Sequence, residues 1–247
     1  MKISDFGHSG PVHAPLYPEG TRVNKQFELI QVLVKANPEA IAALIPEPLE
    51  PDDESLATVI VANYRFVTNI GPYKEAIVNV TARYKGEKVM YTPYIYVDSD
   101  SSMAGGRERF GHPKKMADLT FTQDCEVVRG VCTRRGFKIV DASVCMYGDG
   151  NMEHVLMRPL FQLKVIPQAD VSAPADISLV RTWQDDMEFH EFLGGPGAVS
   201  FERSPADPIY LLEPMEVIGG IYAIGSWKGP SGEVVETFKG PEFPAAT

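Results

Sequence analysis

The chain has 247 residues, of which 44% are hydrophobic and 10% aromatic, and its formal net charge is −10 at pH 7. That length and composition suit a folded protein with a sizeable core, built as one large β-rich domain or two small ones. The acidic balance argues against nucleic acid or an anionic membrane surface as the main partner.

The cysteines and the N-terminal segment bear on the cellular compartment. Cys125, Cys132 and Cys145 are odd in number and match no metal-binding spacing, which fits a reducing compartment better than a disulfide framework. The N-terminal segment is polar and rich in proline and glycine, with no apolar run of signal-peptide or membrane-span length. We therefore expect a soluble cytoplasmic protein, with residues 1–20 as an arm and residues 21–247 as one domain.

The first half of the chain predicts several strands and one short helix. Asn37 is suited to cap a helix, Pro38 to occupy its first turn, and the apolar run AIAALI to continue it until Pro46. Strands are indicated where β-branched and aromatic residues alternate with polar ones. These segments are residues 27–34, 56–66, 76–84 and 89–97.

The second half continues in the same way. Residues 101–110 are a candidate second helix, although Gly105 and Gly106 weaken that prediction. Strands are predicted at residues 137–146, 161–166, 176–183 and 215–227. Because closing a sheet on itself removes exposed edges, we expect a mainly β, single-domain fold: a closed or nearly closed antiparallel barrel with few short helices.

The segment GRERFGHPKK, residues 106–115, concentrates positive charge at one constrained place. A lysine amine attacks a carbonyl only when it is neutral, and a pKa of about 10.4 leaves almost none neutral at pH 7. Burial and a nearby cation both lower that pKa. Pro113 fixes the backbone, and Lys115 could supply the second charge beside Lys114. On local residues alone, a lysine pair in a polar turn is more often simply solvated.

Other charged residues have two interpretations each. Arg107 and Glu108 could form a buried ion pair that positions the loop, or they could act in catalysis. Glu75 stands alone before a strand and by itself is typical of a surface residue. The histidines show no metal-binding spacing, so we expect no metal site.

Several motifs match one protein family in order and spacing. They are IPEPLE at 45–50, YVD at 96–98, GRE at 106–108, PKK at 113–115, RP at 158–159, HE at 190–191 and GP at 195–196. Each is weak alone, but PEPLE, GRE and PKK together are specific. Through them the sequence resembles the acetoacetate decarboxylase family over nearly its whole length.

The resemblance implies a β-cone or barrel with a Schiff-base lysine in its pocket, so that residues 21–247 would be the catalytic domain. Lys114 would be the nucleophile and Lys115 would help to depress its pKa; the family is a known example of a lysine activated in this way. Glu75 would be the pocket glutamate near the imine. His112 occupies a position that is often aromatic, and Tyr96 in the YVD motif would help to bind substrate.

The resemblance also bears on partners. It implies a small oxo acid as substrate, no cofactor, and a homo-oligomeric assembly. Two positions depart from the family pattern. A decarboxylase arginine near the start of the first strand aligns with Phe27, or with Lys25 if a small gap is allowed, and a glutamate fifteen residues before Glu75 is replaced by Ile60. These apolar residues would then form part of the substrate pocket.

The departures leave three functions open. The imine-forming part is kept while the carboxylate-handling pair is missing, which favours aldol condensation and dehydration between pyruvate and an aldehyde. Acetoacetate decarboxylation is the alternative, and a non-catalytic barrel that binds small carbonyl or acidic ligands is a third. Pyruvate would still need a cation for its carboxylate, and the sequence offers Arg107, Arg109 or Arg65.

Overall fold

The computed structural model describes residues 2–5 and 7–241. Its strands are β1 (Val23–Ala36), β2 (Glu50–Pro51), β3 (Leu56–Val67), β4 (Gly71–Tyr84), β5 (Glu87–Val97), β6 (Lys114–Met116), β7 (Asp118–Asp124), β8 (Val127–Arg134), β9 (Phe137–Cys145), β10 (Gly148–Asp149), β11 (Leu160–Ile166), β12 (Asp176–Gly195), β13 (Gly197–Ser200) and β14 (Pro214–Lys239). The α-helices are α1 (Pro38–Leu44) and α2 (Asp100–Phe110), and single 3-10 turns cover Ile3–Asp5, Met152–His154 and Ile209–Leu212. No helix within these residues is long and apolar enough to cross a membrane.

The described strands form a ten-stranded and a four-stranded sheet. The larger has the order β2-β4-β3-β1-β14-β12-β11-β5-β6, with β10 paired to β12 beside this path, and β4 also pairs with β5. This extra pairing closes β1, β3, β4, β5, β11, β12 and β14 into a ring. The prediction of a mainly β, single-domain fold is confirmed, and a ring of this kind is compatible with the predicted barrel.

The ring differs from the prediction in one respect, because it is not antiparallel throughout. β11 pairs with β5 in parallel, and so does β6. Parallel neighbours need a long connection between them. The chain provides one, since α2 and strands β6 to β10 lie between β5 and β11, and α2 lies between β5 and β6.

The two faces of the ring are buried for different reasons. Alternate residues of β1 point outward, and Ile30 and Val32 pack there with Val128 and Val140 of the smaller sheet. Phe27 points to the opposite, inner side, into a second cluster of aromatic and aliphatic side chains. A strand that is buried on both faces has a nearly continuous apolar sequence. This is why the sequence of residues 27–34 predicts a strand.

The N-terminal segment packs against α2. Tyr17 is 2% exposed, and its hydroxyl donates a hydrogen bond of 2.6 Å to Oε2 of Glu108. Burial, together with the Glu108 carboxylate, raises the pKa of Tyr17 to about 12, so this phenol remains protonated. The contact joins the segment before β1 to the helix that precedes Lys114.

Candidate active site

The inner face of the ring encloses a cavity of about 210 Å³. Its wall is mainly apolar and aromatic, and Glu75 is the only carboxylate among the described residues that line it. Lys114 and His112 reach the same cavity from the segment after α2. A small enclosed volume with few polar groups suits a small ligand whose reacting atoms meet specific side chains.

Lys114 is buried next to Glu75. It is 5% exposed, and its Nζ lies 3.0 Å from Oε1 of Glu75. It also donates a hydrogen bond of 3.0 Å to Oγ of Ser102 on α2. Burial lowers the pKa of Lys114, while the Glu75 carboxylate opposes that shift and the charge of Arg22 adds to it. The site therefore favours the neutral, nucleophilic amine more than water does.

The GRE motif shapes the path of the Lys114 side chain. A Cβ placed on Gly106 would lie 2.7 Å from Cδ of Lys114, so only glycine leaves room for the lysine to pass across α2. Arg107 donates from Nη1 to the backbone oxygen of Lys114 at 3.1 Å, and Glu108 accepts from Tyr17. The expected Arg107–Glu108 pair is thus replaced by two separate contacts, both of which position the segment.

Lys115 points away from the cavity. β6 pairs with β5 so that Ile95 lies opposite Lys114 and Tyr96 opposite Lys115, and successive side chains of a strand face opposite sides. Nζ of Lys115 lies 2.7 Å from Oδ1 of Asp207, to which the Tyr96 hydroxyl also donates at 3.1 Å. Neither Lys115 nor Tyr96 lines the cavity. This placement departs from the expected one, and their predicted roles rest on the sequence resemblance alone.

The remaining predicted pocket residues do line the cavity. Phe27 and Ile60 form part of its apolar wall, and the ring of His112 stacks on Phe110 with centroids 5.6 Å apart. Burial lowers the pKa of His112 to about 3, and the charges of Lys114 and Arg22 act in the same direction. The imidazole is therefore neutral near pH 7 and adds no charge to the pocket.

The three arginines proposed for the substrate carboxylate lie elsewhere. Arg107 is bonded to backbone, and Arg109 sits over the Phe110 ring at 5.1 Å. Arg65 forms an ion pair of 2.9 Å with Glu28, and its side chain is 58% exposed. None of them lines the cavity; the arginines that do, in the described part of the chain, are Arg22 and Arg158.

A row of polar side chains, missed by sequence reasoning, crosses the cavity wall. It runs through Thr58, Asn79, Thr92, Gln162 and Thr182, which are joined in that order by hydrogen bonds of 2.8–3.3 Å. All five side chains are buried. The first four line the cavity, and Thr182 continues the row beyond it. The only available signal in the sequence was a polar residue between apolar neighbours of a predicted strand.

Comparison with known proteins identifies the family of this chain. The family model described as acetoacetate decarboxylase (ADC) matches residues 9–237. Acetoacetate decarboxylase 1 of Bradyrhizobium diazoefficiens is 30% identical over 235 residues, which cover 90% of this chain and 91% of the relative.

Solved structures share the fold. The acetoacetate decarboxylase of Legionella pneumophila superposes with a TM-score of 0.85 at 25% identity, covering 91% of each chain. The enduracididine biosynthesis enzyme MppR, complexed with the condensation product of pyruvate and imidazole 4-carboxaldehyde, has a TM-score of 0.82 at 19% identity, covering 93% of this chain and 96% of that one. The match to the family model over most of the chain, with the identity to the Bradyrhizobium protein, shows that this chain belongs to the acetoacetate decarboxylase family.

Proposed function

We propose that the protein is a carbon–carbon lyase in which Lys114 forms an imine with a short oxo acid. The observation that carries this proposal is the Lys114 amine, buried in an apolar cavity and 3.0 Å from the Glu75 carboxylate. The neutral amine adds to the carbonyl carbon, and the resulting carbinolamine loses water to give the imine. Once protonated, the imine withdraws electrons from the neighbouring carbon. In this proposal Glu75 accepts and returns the protons that these steps move, and its 3.0 Å contact with the Lys114 amine supports that role.

We further propose that the oxo acid is pyruvate and that the imine leads to aldol condensation. Glu75 removes a proton from the methyl carbon, which gives an enamine. The enamine carbon attacks the carbonyl carbon of an aldehyde, and the new alkoxide takes up a proton. Loss of a second proton and of hydroxide then releases water and leaves a conjugated imine. Hydrolysis returns Lys114 and an unsaturated oxo acid, so that pyruvate and aldehyde give this acid and one water.

Two observations support the finer proposal. Phe27 and Ile60, which replace the arginine and glutamate of the family pattern, supply apolar wall that suits the hydrocarbon part of an aldehyde. Among proteins of similar fold, MppR has been captured with a condensation product of pyruvate and an aldehyde. The alternative, decarboxylation of acetoacetate, is favoured by the names of relatives such as the Bradyrhizobium protein. It would share Lys114 and the imine, but the enamine left after loss of carbon dioxide would take a proton.

Borohydride reduction followed by mass spectrometry tests these proposals together. Borohydride reduces an imine to a stable amine. After treatment with pyruvate or acetoacetate, the peptide that contains Lys114 should therefore carry a covalently attached, reduced adduct derived from that acid. A protein that only binds its ligand would gain no covalent mass. Pyruvate with an aromatic aldehyde should then give a product with a new long-wavelength absorbance. Acetone from acetoacetate at ordinary enzymatic rates, with no product from pyruvate and aldehydes, would establish the decarboxylase instead.

A further inference from the structure

Arg22 is a buried cation without a partner. It immediately precedes β1, is 7% exposed, and lines the cavity that contains Lys114. Its Nη2 is buried and has no hydrogen-bond partner, and no carboxylate within the described residues forms an ion pair with it. Burial lowers the pKa of Arg22, but a guanidinium remains charged at neutral pH. The free protein thus holds a buried positive charge with no direct ion pair, on which Glu75 acts only from a distance.

Such a charge is costly unless an anion meets it. Moving an ion out of water is unfavourable by several kcal/mol unless a partner restores the lost interactions. Glu75 cannot fully balance the charge of Arg22, because its carboxylate forms an ion pair of 3.0 Å with Lys114. Arg158, the other arginine of the lining, differs because its Nη2 lies 2.6 Å from Oε2 of Glu54, although its Nη1 is also without a hydrogen-bond partner. Arg22 is therefore the arginine of this lining whose charge is not already paired with a carboxylate, and which can take an anion from a ligand.

We infer that Arg22 binds the carboxylate of the oxo acid whose carbonyl carbon reacts with Lys114. This inference rests on the proposed imine chemistry and adds the group that selects an acid over a neutral carbonyl compound. Arg22 and Lys114 line the same cavity, and their side chains pass the consecutive residues Gly105 and Gly106 of α2, so the guanidinium lies near the reacting amine. In pyruvate the carboxylate is joined directly to the carbonyl carbon, so its cation must lie near the amine. A guanidinium also matches a carboxylate with two parallel hydrogen bonds.

Counting charges leads to the same assignment. With the imine formed and protonated, the site holds positive charges on the imine and Arg22 and a negative charge on Glu75, while His112 is neutral. A bound carboxylate brings the sum to zero. A neutral carbonyl compound would leave one positive charge unbalanced in a buried site, which disfavours its imine.

The arm and α2 hold Arg22 in place. A Cβ added to Gly105 would lie 2.3 Å from Nη2 of Arg22 and 3.2 Å from the ring of Tyr17. The absence of a side chain at Gly105 therefore opens the space that the guanidinium occupies. Substituting Gly105 by alanine should displace the guanidinium without removing its charge.

Pyruvate and its neutral analogue methyl pyruvate provide the test. The concentration of each that gives half-maximal borohydride trapping would be measured for wild type, Arg22→Gln, Arg22→Lys and Gly105→Ala. The expected result is that Arg22→Gln reduces the preference for pyruvate over methyl pyruvate by about 10- to 100-fold, the range expected for one charge-assisted hydrogen-bonded contact. Arg22→Lys, which keeps the charge but loses the paired geometry, should retain part of the preference, and Gly105→Ala should lose part of it.

The ratio of the two ligands separates binding from indirect effects. Removing Arg22 also raises the pKa of Lys114, but that change weakens trapping of both compounds alike and cancels in the ratio. If the Arg22→Gln variant traps both less well by the same factor, or keeps the wild-type preference, Arg22 does not bind the carboxylate. If the wild-type protein traps neither compound, imine formation itself is refuted, and this inference falls with it.

Discussion

His112 should make the protein lose stability as the pH falls, and replacing it by phenylalanine should remove that loss. The pKa of His112 is lowered to about 3 in the folded protein, first by burial and then by the charges of Lys114 and Arg22. In the unfolded chain it returns to about 6.5. At a pH between these two pKa values, His112 is protonated in the unfolded chain and neutral in the folded protein. Stability from this residue is therefore complete above pH 6.5 and declines towards pH 3.

The magnitude follows from the two pKa values. Each unit of difference is worth about 1.36 kcal/mol, so the full shift corresponds to at most about 5 kcal/mol. At pH 4 the loss relative to pH 7.5 should reach about 3 kcal/mol, since about 2.5 units of the interval have then been crossed. His112→Phe keeps an aromatic ring to stack on Phe110, whose centroid lies 5.6 Å from that of the imidazole, and has nothing to titrate.

Urea unfolding at pH 7.5, 5.5 and 4 provides the measurement for both proteins. Carboxylates that titrate in this range are common to wild type and variant, so they cancel in the difference of unfolding free energies. We expect that difference to change by about 3 kcal/mol in favour of the variant between pH 7.5 and 4. Parallel stability curves would show that the imidazole is protonated in the fold or reaches water, and would refute the reasoning.

Three further predictions concern the reaction. Lys114→Met should abolish borohydride trapping, whereas the matched control Lys115→Met should retain it. Full trapping by Lys114→Met would show that Lys114 is not the nucleophile. Glu75→Gln should still form the imine but turn over roughly 10²-fold or more slowly, measured by steady-state kinetics. Lys115→Met should move the acid limb of the rate profile to higher pH, but less than Arg22→Gln does, because Lys115 is paired with Asp207 at 2.7 Å. An unshifted acid limb would show that the charge of Lys115 does not affect the pKa of Lys114.

Periodicity and motif spacing allowed much of the fold to be predicted. The strands whose two faces are both buried, such as β1 and β3, carry long apolar runs and were predicted within a few residues. β7 was missed because most of its residues are exposed or half-buried, so its sequence DLTFTQD has little apolar pattern. The sequence therefore predicts the smaller sheet only in part: it indicates β9, which packs on the outer face of the ring, but not β7.

Within the site, the sequence alone could not predict which side chains of the short strand β6 face the cavity. β6 has only three residues, Lys114 to Met116, so no alternation reveals which lysine faces inward. Its register against β5 decides the matter, since Ile95 and Lys114 share the inner face while Tyr96 and Lys115 share the outer one. The expected role of Lys115, to lower the pKa of Lys114 by its charge, would therefore have to act from the opposite face of the strand.

The sequence does not indicate Arg22 as a pocket residue, because the arginine of the family pattern aligns with residue 27. An arginine side chain is long enough to bring its charge into a cavity from a backbone position some way along the chain, so alignment of positions does not locate the charge itself.

The position of Arg22 also bears on which bond breaks. Decarboxylation turns a carboxylate into neutral carbon dioxide, so any interaction that holds the carboxylate as an anion is lost on the way to the product. An interaction that is stronger in the bound substrate than in the transition state slows the reaction. In the family pattern an arginine acts on the departing carboxylate together with a glutamate, whose position is taken here by Ile60. A bidentate, desolvated contact with Arg22, without that glutamate, would hold the carboxylate as an anion. In aldol condensation the carboxylate stays charged throughout, so such a contact would persist to the product.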